Sequence, residues 1–315
     1  MTDTLARGGT TAAAPPHGPV TPEPVAPASP GPAPRRWGLS RRRSFARSGR
    51  AATVVDWTLI ALLVGITLLS VVSPLLAPYD PVQPVGMPKL PPLSEGHLLG
   101  TDAIGRDTLS RVLAGLQTSW LLSVLVTALG LVIGSVVGVV AGMFGGWVDA
   151  LLMRTTDVFL SLPSMLVAVA VSAALGPGLT NTVLAVLVVW WPYYARIVRG
   201  EVRALVARPH VEAARLAGAG WFRVMWRHVL PGVVPTAVVT ASLDIGNVVM
   251  TLASLSFLGL GQPAPAPELG ADTSRNLVEI LDAWWIPLIP GLVVMLLSLL
   301  SNLAGDAVRN RLVRR

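Results

Sequence analysis

Six polar residues, Thr236, Thr240, Asp244, Asn247, Thr251 and Ser254, interrupt an otherwise apolar run at separations of 4, 4, 3, 4 and 3. That is the period of an α-helix, so they form one polar stripe of about 27 Å at ~1.5 Å per residue, close to the thickness of a bilayer core. Only Ser242 among the intervening positions is polar. A seam of hydroxyls that packs helices together accounts for the threonines, at roughly 0.6 kcal/mol per bond, but poorly for a central aspartate. A carboxylate facing lipid there costs roughly 2.5 to 3.5 kcal/mol, so Asp244 is expected to face protein or water, with Thr240, Asn247, Thr251 and Ser254 on the same stripe.

Covalent chemistry finds little support. The chain has no cysteine, so there is no disulfide, thiolate metal site or cysteine nucleophile. Neither H-E-x-x-H nor G-x-S-x-G occurs. Tyr79-Asp80 and Gly305-Asp306 faintly echo the paired aspartates of intramembrane proteases, but the two fall at opposite faces of the membrane. The one lysine, Lys89, lies in P-K-L-P, which rules out a Gly-Lys-Ser/Thr phosphate loop. No catalytic residue, metal site or cofactor is expected. A proton-coupled carrier would need Asp244 as its relay. His17, His97, His210 and His228 suggest nothing beyond solvated or interfacial roles.

The second constellation is R-P-H-V-E-A-A-R-L-A-G-A-G-W-F-R-V-M-W-R-H-V-L-P, from Arg208 to Pro231, the only long charged segment between apolar runs. Pro209 suits a first helical turn and Glu212 the positive end of the helix dipole. Ala213, Ala214 and Ala217 keep the surface smooth, and Gly218 and Gly220 let the chain leave helical geometry. A short helical knob of this kind fits a socket on another protein.

Elements that hold these residues must cross a membrane. Of 315 residues, 52% are hydrophobic and only 13% charged, and mean hydropathy is +0.63. Soluble domains carry about 25% charged residues. Residues 1–55 read as a disordered, Pro- and Arg-rich tail, and 56–315 as an all-α domain of about six spans. The first runs from Asp56 to Ala77 and the second from Leu116 to Ala141, where Gly130, Gly134, Gly138 and Gly142 leave a strip for close helix approach. The third runs from about Arg154 to Leu175, kinked at Pro163, with Arg154 and Asp157 placed to pair. The fourth covers Thr182 to Val198, the fifth Val229 to Phe257, and Trp284 and Trp285 open the sixth. Of 24 basic residues, only Lys89, Arg106, Arg111 and Arg275 fall outside in this arrangement. The net charge of +7 is therefore read as membrane orientation, with both termini cytoplasmic, rather than as nucleic-acid binding.

The knob resembles the EAA loop of the membrane subunits of ATP-binding-cassette importers, with Glu212, Ala213, Ala214, Gly218, Leu230 and Pro231 at the family's spacing and His228 where the pattern has isoleucine. Leu99, Gly100, Thr101, Asp102, Gly105, Arg106 and Asp107 resemble the L-G-T-D-x-x-G-R-D signature of peptide and nickel importer permeases. S-F-L-G-L-G-Q-P after the fifth span, and Asn302, Gly305, Asp306 and Arg309, are similar to further signatures of that branch. The resemblance implies a permease of the type I importer fold in a prokaryotic cell membrane, forming half of a translocation pathway for di- or oligopeptides or a related solute such as a nickel chelate or glutathione. It implies a coupling helix on cytoplasmic ATPases, a second homologous permease subunit and an extracytoplasmic solute-binding protein. Since the fifth span commonly borders the pathway in that family, it also implies a solute path lined by Thr240, Asp244, Asn247, Thr251 and Ser254 in which Asp244 favours cationic groups. The L-G-T-D loop is expected to be structural, turning at Gly100 and Gly105 and held by Asp and Arg pairs.

Overall fold

The computed structural model describes residues 50–313. Most of the expected tail, His17 and the arginines at 314 and 315 lie outside the described residues. The chain runs through α1 (Arg50–Leu76), α2 (Thr108–Phe144), α3 (Gly146–Ser161), α4 (Ser164–Leu175), α5 (Leu179–Val206), α6 (Pro209–Leu216), α7 (Trp221–Val224), a π-helical turn (Met225–Val229), α8 (Leu230–Phe257), α9 (Leu269–Arg275), a 3-10 turn (Leu277–Glu279) and α10 (Trp285–Val313). Among the described residues five helices are long and apolar enough to cross a membrane, six if α3 and α4 form one broken span.

Several span expectations change: α1 starts at Arg50, inside the expected tail and six residues before Asp56, and α5 runs to Val206, eight residues past the expected Val198. The second helix starts at Thr108, eight residues before the expected Leu116, because Asp107 accepts the Ser110 amide at 2.8 Å and caps it. The third span is not a kinked rod: α3 and α4 meet at 89°. Pro163 lacks an amide hydrogen and biases Leu162, which is extended, away from helix, so the chain turns there. Asp157 does not pair with Arg154 either; it accepts from Arg196 on α5.

Packing follows the small residues. Alongside α2 runs α5, and a Cβ at Gly134 would stand 2.5 Å from the Trp191 carbonyl oxygen, one at Gly138 2.6 Å from the Ala195 carbonyl oxygen, and one at Gly142 2.6 Å from Val202 Cγ1. With no hydrophobic drive between helices in lipid, such backbone proximity supplies the dispersion attraction that holds them. Between α8 and α10, Gly246 receives Asn302 and Gly305 abuts the Ser242 carbonyl oxygen, so the terminal N-x-x-G-D run serves as a packing seam. One core cluster joins Ile66, Trp120, Val249, Leu269 and Leu297, and another joins Val126, Ala168, Val186, Val248 and Leu255. A third, with Val139, Val198, Val202, Val211, Val224, Val229 and Val233, lies at the end of the bundle that carries α6.

Candidate functional site

The knob forms as its residues dictate. Arg208 is extended, Pro209 opens α6, and the Val211 and Glu212 amides donate to the Arg208 carbonyl. Val211 is fully buried in the third core cluster while Glu212 and Ala213 are exposed and Ala214 half-buried, so one valine fixes the helix and its other face is presented outward. At its end Gly218 takes φ +83° in open space, a left-handed conformation that costs other residues. Gly220 does not share this role, since its φ of −63° is open to any residue. Leu216, Trp221, Phe222 and Trp226 are also exposed around α6. Leu230 is half-buried and Pro231 exposed at the start of α8. The preceding π-helical turn, closed by Leu230 N–H to the Met225 carbonyl, is a feature the sequence reading missed. Pro231 and Pro235 donate nothing to the first turns of α8, and this removes the regular ladder that a uniform helix needs.

The polar stripe runs along α8 as its spacing requires. Thr240, Thr251 and Ser254 donate to the carbonyls four residues earlier, at 2.9, 2.8 and 2.7 Å. Asp244 is buried at 7% exposure and turned toward α5: its Oδ2 accepts from Trp190 Nε1 and from Tyr194 Oη at 2.7 Å, and its Oδ1 from Asn247 Nδ2 at 3.2 Å. All three donors are neutral, and none of the ion pairs among the described residues involves Asp244. Gly130 on α2 leaves room for the Tyr194 ring. The glycine strip thus places the tyrosine that holds the aspartate. Asn247 is exposed, Thr236, Thr240 and Thr251 are half-buried, and Ser254 opens on a groove of about 340 Å³ shared with Met250, Phe257, Gly270, Thr273 and Gly291.

The L-G-T-D loop is a folded structural unit. Gly100 and Gly105 have φ of +75° and +87°, as their turns require. Asp102 accepts from Arg106 Nε at 2.5 Å and from the amides of Ile104 and Arg106, and Thr101 Oγ1 donates to the Met87 carbonyl. Arg111, which the sequence reading left without a role, donates to Asp272 Oδ1 at 2.5 Å and to the Pro81 carbonyl, locking α2 to α9. Glu268 caps α9 through the Gly270 and Ala271 amides and accepts from Ser119. Burial pushes the Glu268 carboxyl above the usual glutamate range against the pull of these donors, and does the same for Asp272 against Arg111. His97 departs from the solvated role expected of it: it is buried, 2.9 Å from Asp107 Oδ1, with its ring tilted at 36° to that of Tyr79 and centred 5.1 Å from it. At the α6 end, Asp149 on α3 accepts from Arg199 and Arg203, a second strap to α5 that the sequence reading also missed.

Residues 134–315 match the family described as binding-protein-dependent transport system inner membrane component. The chain belongs to that family: it is a multi-pass inner-membrane permease subunit of an ATP-binding-cassette importer, a transport component rather than an enzyme. It is 39% identical over 265 residues to the probable D,D-dipeptide transport system permease protein DdpC of Escherichia coli K12, covering 84% of this chain and 88% of that one. The dipeptide permease DppC of the same strain is 41% identical over 243 residues, covering 75% and 81%. A glutathione permease, GsiD of Escherichia coli O6:K15:H31, is 38% identical over 273 residues, covering 86% and 88%. In an inward-facing structure of the MetNI methionine ABC transporter, one chain has the same fold, with a TM-score of 0.50 at 20% identity over 64% of this chain and 95% of that one.

Proposed function

We propose that this permease carries di- or oligopeptides inward. The observation that carries the reading is the 39–41% identity to dipeptide permeases over three quarters or more of the chain. Similarity to GsiD favours glutathione, itself a small peptide, as a second solute. The chain forms half of the pathway beside a second homologous permease, receives solute from an extracytoplasmic binding protein and takes its drive from cytoplasmic ATPases. Glu212, Ala213, Ala214 and Gly218 form the docking knob, with Leu230 and Pro231 joining it to α8. Exposure of Glu212 and the open space at Gly218 support that role. Thr240, Asp244, Asn247, Thr251 and Ser254 line the path, and Asp244, held only by neutral donors, supplies a negative charge for a passing ammonium group.

Uptake of a labelled dipeptide in cells lacking the chain, restored by the full-length gene, tests the solute. Competition by unlabelled dipeptide and by glutathione separates the two readings, and uptake of neither overturns both. The distribution of basic residues supports a cytoplasmic position for both termini. Reporter fusions after Arg315 and within residues 78–107 should then report opposite sides.

A further inference from the structure

His210 and His228 are eighteen residues apart in sequence, one in the first turn of α6 and the other in the π-helical turn before α8. Folding brings their ring centres to 6.1 Å. His210 is exposed and His228 half-buried, so both rings are reachable from solvent. Neither imidazole takes part in a hydrogen bond or ion pair among the described residues, which leaves their nitrogens available. The isoleucine of the EAA pattern is absent here, and its replacement is the residue that meets His210.

A neutral imidazole nitrogen binds a borderline divalent ion at ~2.0–2.1 Å, which puts the ring centre about 3.2 Å from the ion. Two rings on one ion then have centres about 5.2 Å apart at a tetrahedral angle and about 6.4 Å apart when opposed. The observed separation lies inside that range. Helical turns with an i to i−5 bond occur often at functional sites, and this one carries the second histidine.

We propose that His210 and His228 form a two-imidazole binding site for a divalent transition ion such as Zn²⁺, Cu²⁺ or Ni²⁺, the ions that imidazole suits. Water fills the other coordination positions, so the site is weaker than a closed four-ligand one. The bound ion staples the start of α6 to the start of α8 across the neck of the knob. Occupancy therefore fixes the knob against the span that follows it, and the site regulates coupling rather than transporting the ion.

The test uses the full-length chain in lipid nanodiscs with no polyhistidine tag. With no native cysteine to compete, Zn²⁺ titration should show one equivalent bound, and the Cu²⁺ electron paramagnetic resonance spectrum should show two equatorial imidazole nitrogens. His210→Ala and His228→Ile should each weaken Zn²⁺ binding at least tenfold, the double variant should weaken it no further, and His17→Ala should leave it unchanged. His228→Ile installs the residue of the pattern, so its loss of binding does not come from failure to fold. Unchanged affinity in either single variant, or a spectrum with one nitrogen, overturns the site.

Discussion

Replacing Gly134 by alanine asks whether the α2–α5 contact is as tight as the backbone makes it. The new Cβ would lie 2.5 Å from the Trp191 carbonyl oxygen, 2.5 Å from Tyr194 Cβ and 2.8 Å from the Ala195 nitrogen. None of these atoms is the end of a side chain that can swing away. Ordinary carbon contacts lie at about 3.5–4.0 Å, so the helices must part by about 1 Å, enough to forfeit a quarter to a half of the dispersion attraction between neighbouring atoms. Overpacking of this kind costs about 1–3 kcal/mol. Alanine also favours helix over glycine by up to ~1 kcal/mol, so a control is needed. Gly200 provides it, because it lies in α5 and a Cβ there meets nothing within 4 Å. The difference between Gly134→Ala and Gly200→Ala isolates the packing cost. At ~2.1 cal/mol/K of unfolding entropy per residue, a chain of 315 residues shifts by about 1.5 °C per kcal/mol, so a 2 kcal/mol difference separates the two melting temperatures by roughly 3 °C. Fluorescence-monitored melting in one detergent, with both variants purified alike, measures it. If the two melt together within a degree, the helices are not in van der Waals contact at Gly134 and the reasoning fails.

Three further outcomes are expected. Glu212→Lys and Gly218→Leu should each abolish uptake while the protein still inserts, by reversing a charge and by filling the open left-handed turn; normal uptake and normal solute-stimulated ATP hydrolysis in both would remove the docking role. Single cysteines on α8 should react with a hydrophilic maleimide fast at 247 and slowly at the buried 248, while a cysteine at 244 should react only when the transporter cycles; equal rates at all three would reduce the stripe to a packing seam. Because burial raises the Glu268 carboxyl, the folded protein binds that proton more readily than the unfolded chain. The stability linked to it is therefore complete below about pH 4.3 and is lost as pH rises through the raised value. Glu268→Gln should flatten the dependence of melting temperature on pH across that window, and an unchanged slope would assign it to another group.

Much of this fold is written in local patterns. Length and hydropathy mark the spans, four glycines at helical spacing mark the α2 face, and Pro209, Glu212 and Gly218 bound the knob. Asp244 stands out for a related reason, as a carboxylate at the centre of a span has no neutral explanation in lipid. Its partners are another matter. Trp190 and Tyr194 lie on α5, more than forty residues away, and nothing in the period of either helix states their relative rotation. The same limit hid the strap from Asp149 to Arg199 and Arg203 and sent Asp157 to Arg196 rather than to Arg154. His97 looked solvated because a polar, proline-rich loop is ordinarily open. Here the Asp102 turn and the Asp107 cap fold that loop over the imidazole, and the contact depends on the whole loop at once. The right angle at Leu162 lay between these extremes: Pro163 predicted a disturbance, but the size of the bend depends on what α3 packs against.

The tie between Arg111 and Asp272 spans 161 residues of sequence. At a synthesis rate of about 5–20 residues per second, Arg111 leaves the ribosome about 8–32 s before its partner. For that interval a cation at the head of α2 has no carboxylate from α9 to neutralise it, while the six helices α3 to α8 are still being made. The part of the chain that is translated early is thus among the last to be finished. Nascent chains halted before residue 272 should leave residues 78–107 open to protease, whereas chains that reach the end of α9 close that window as they emerge.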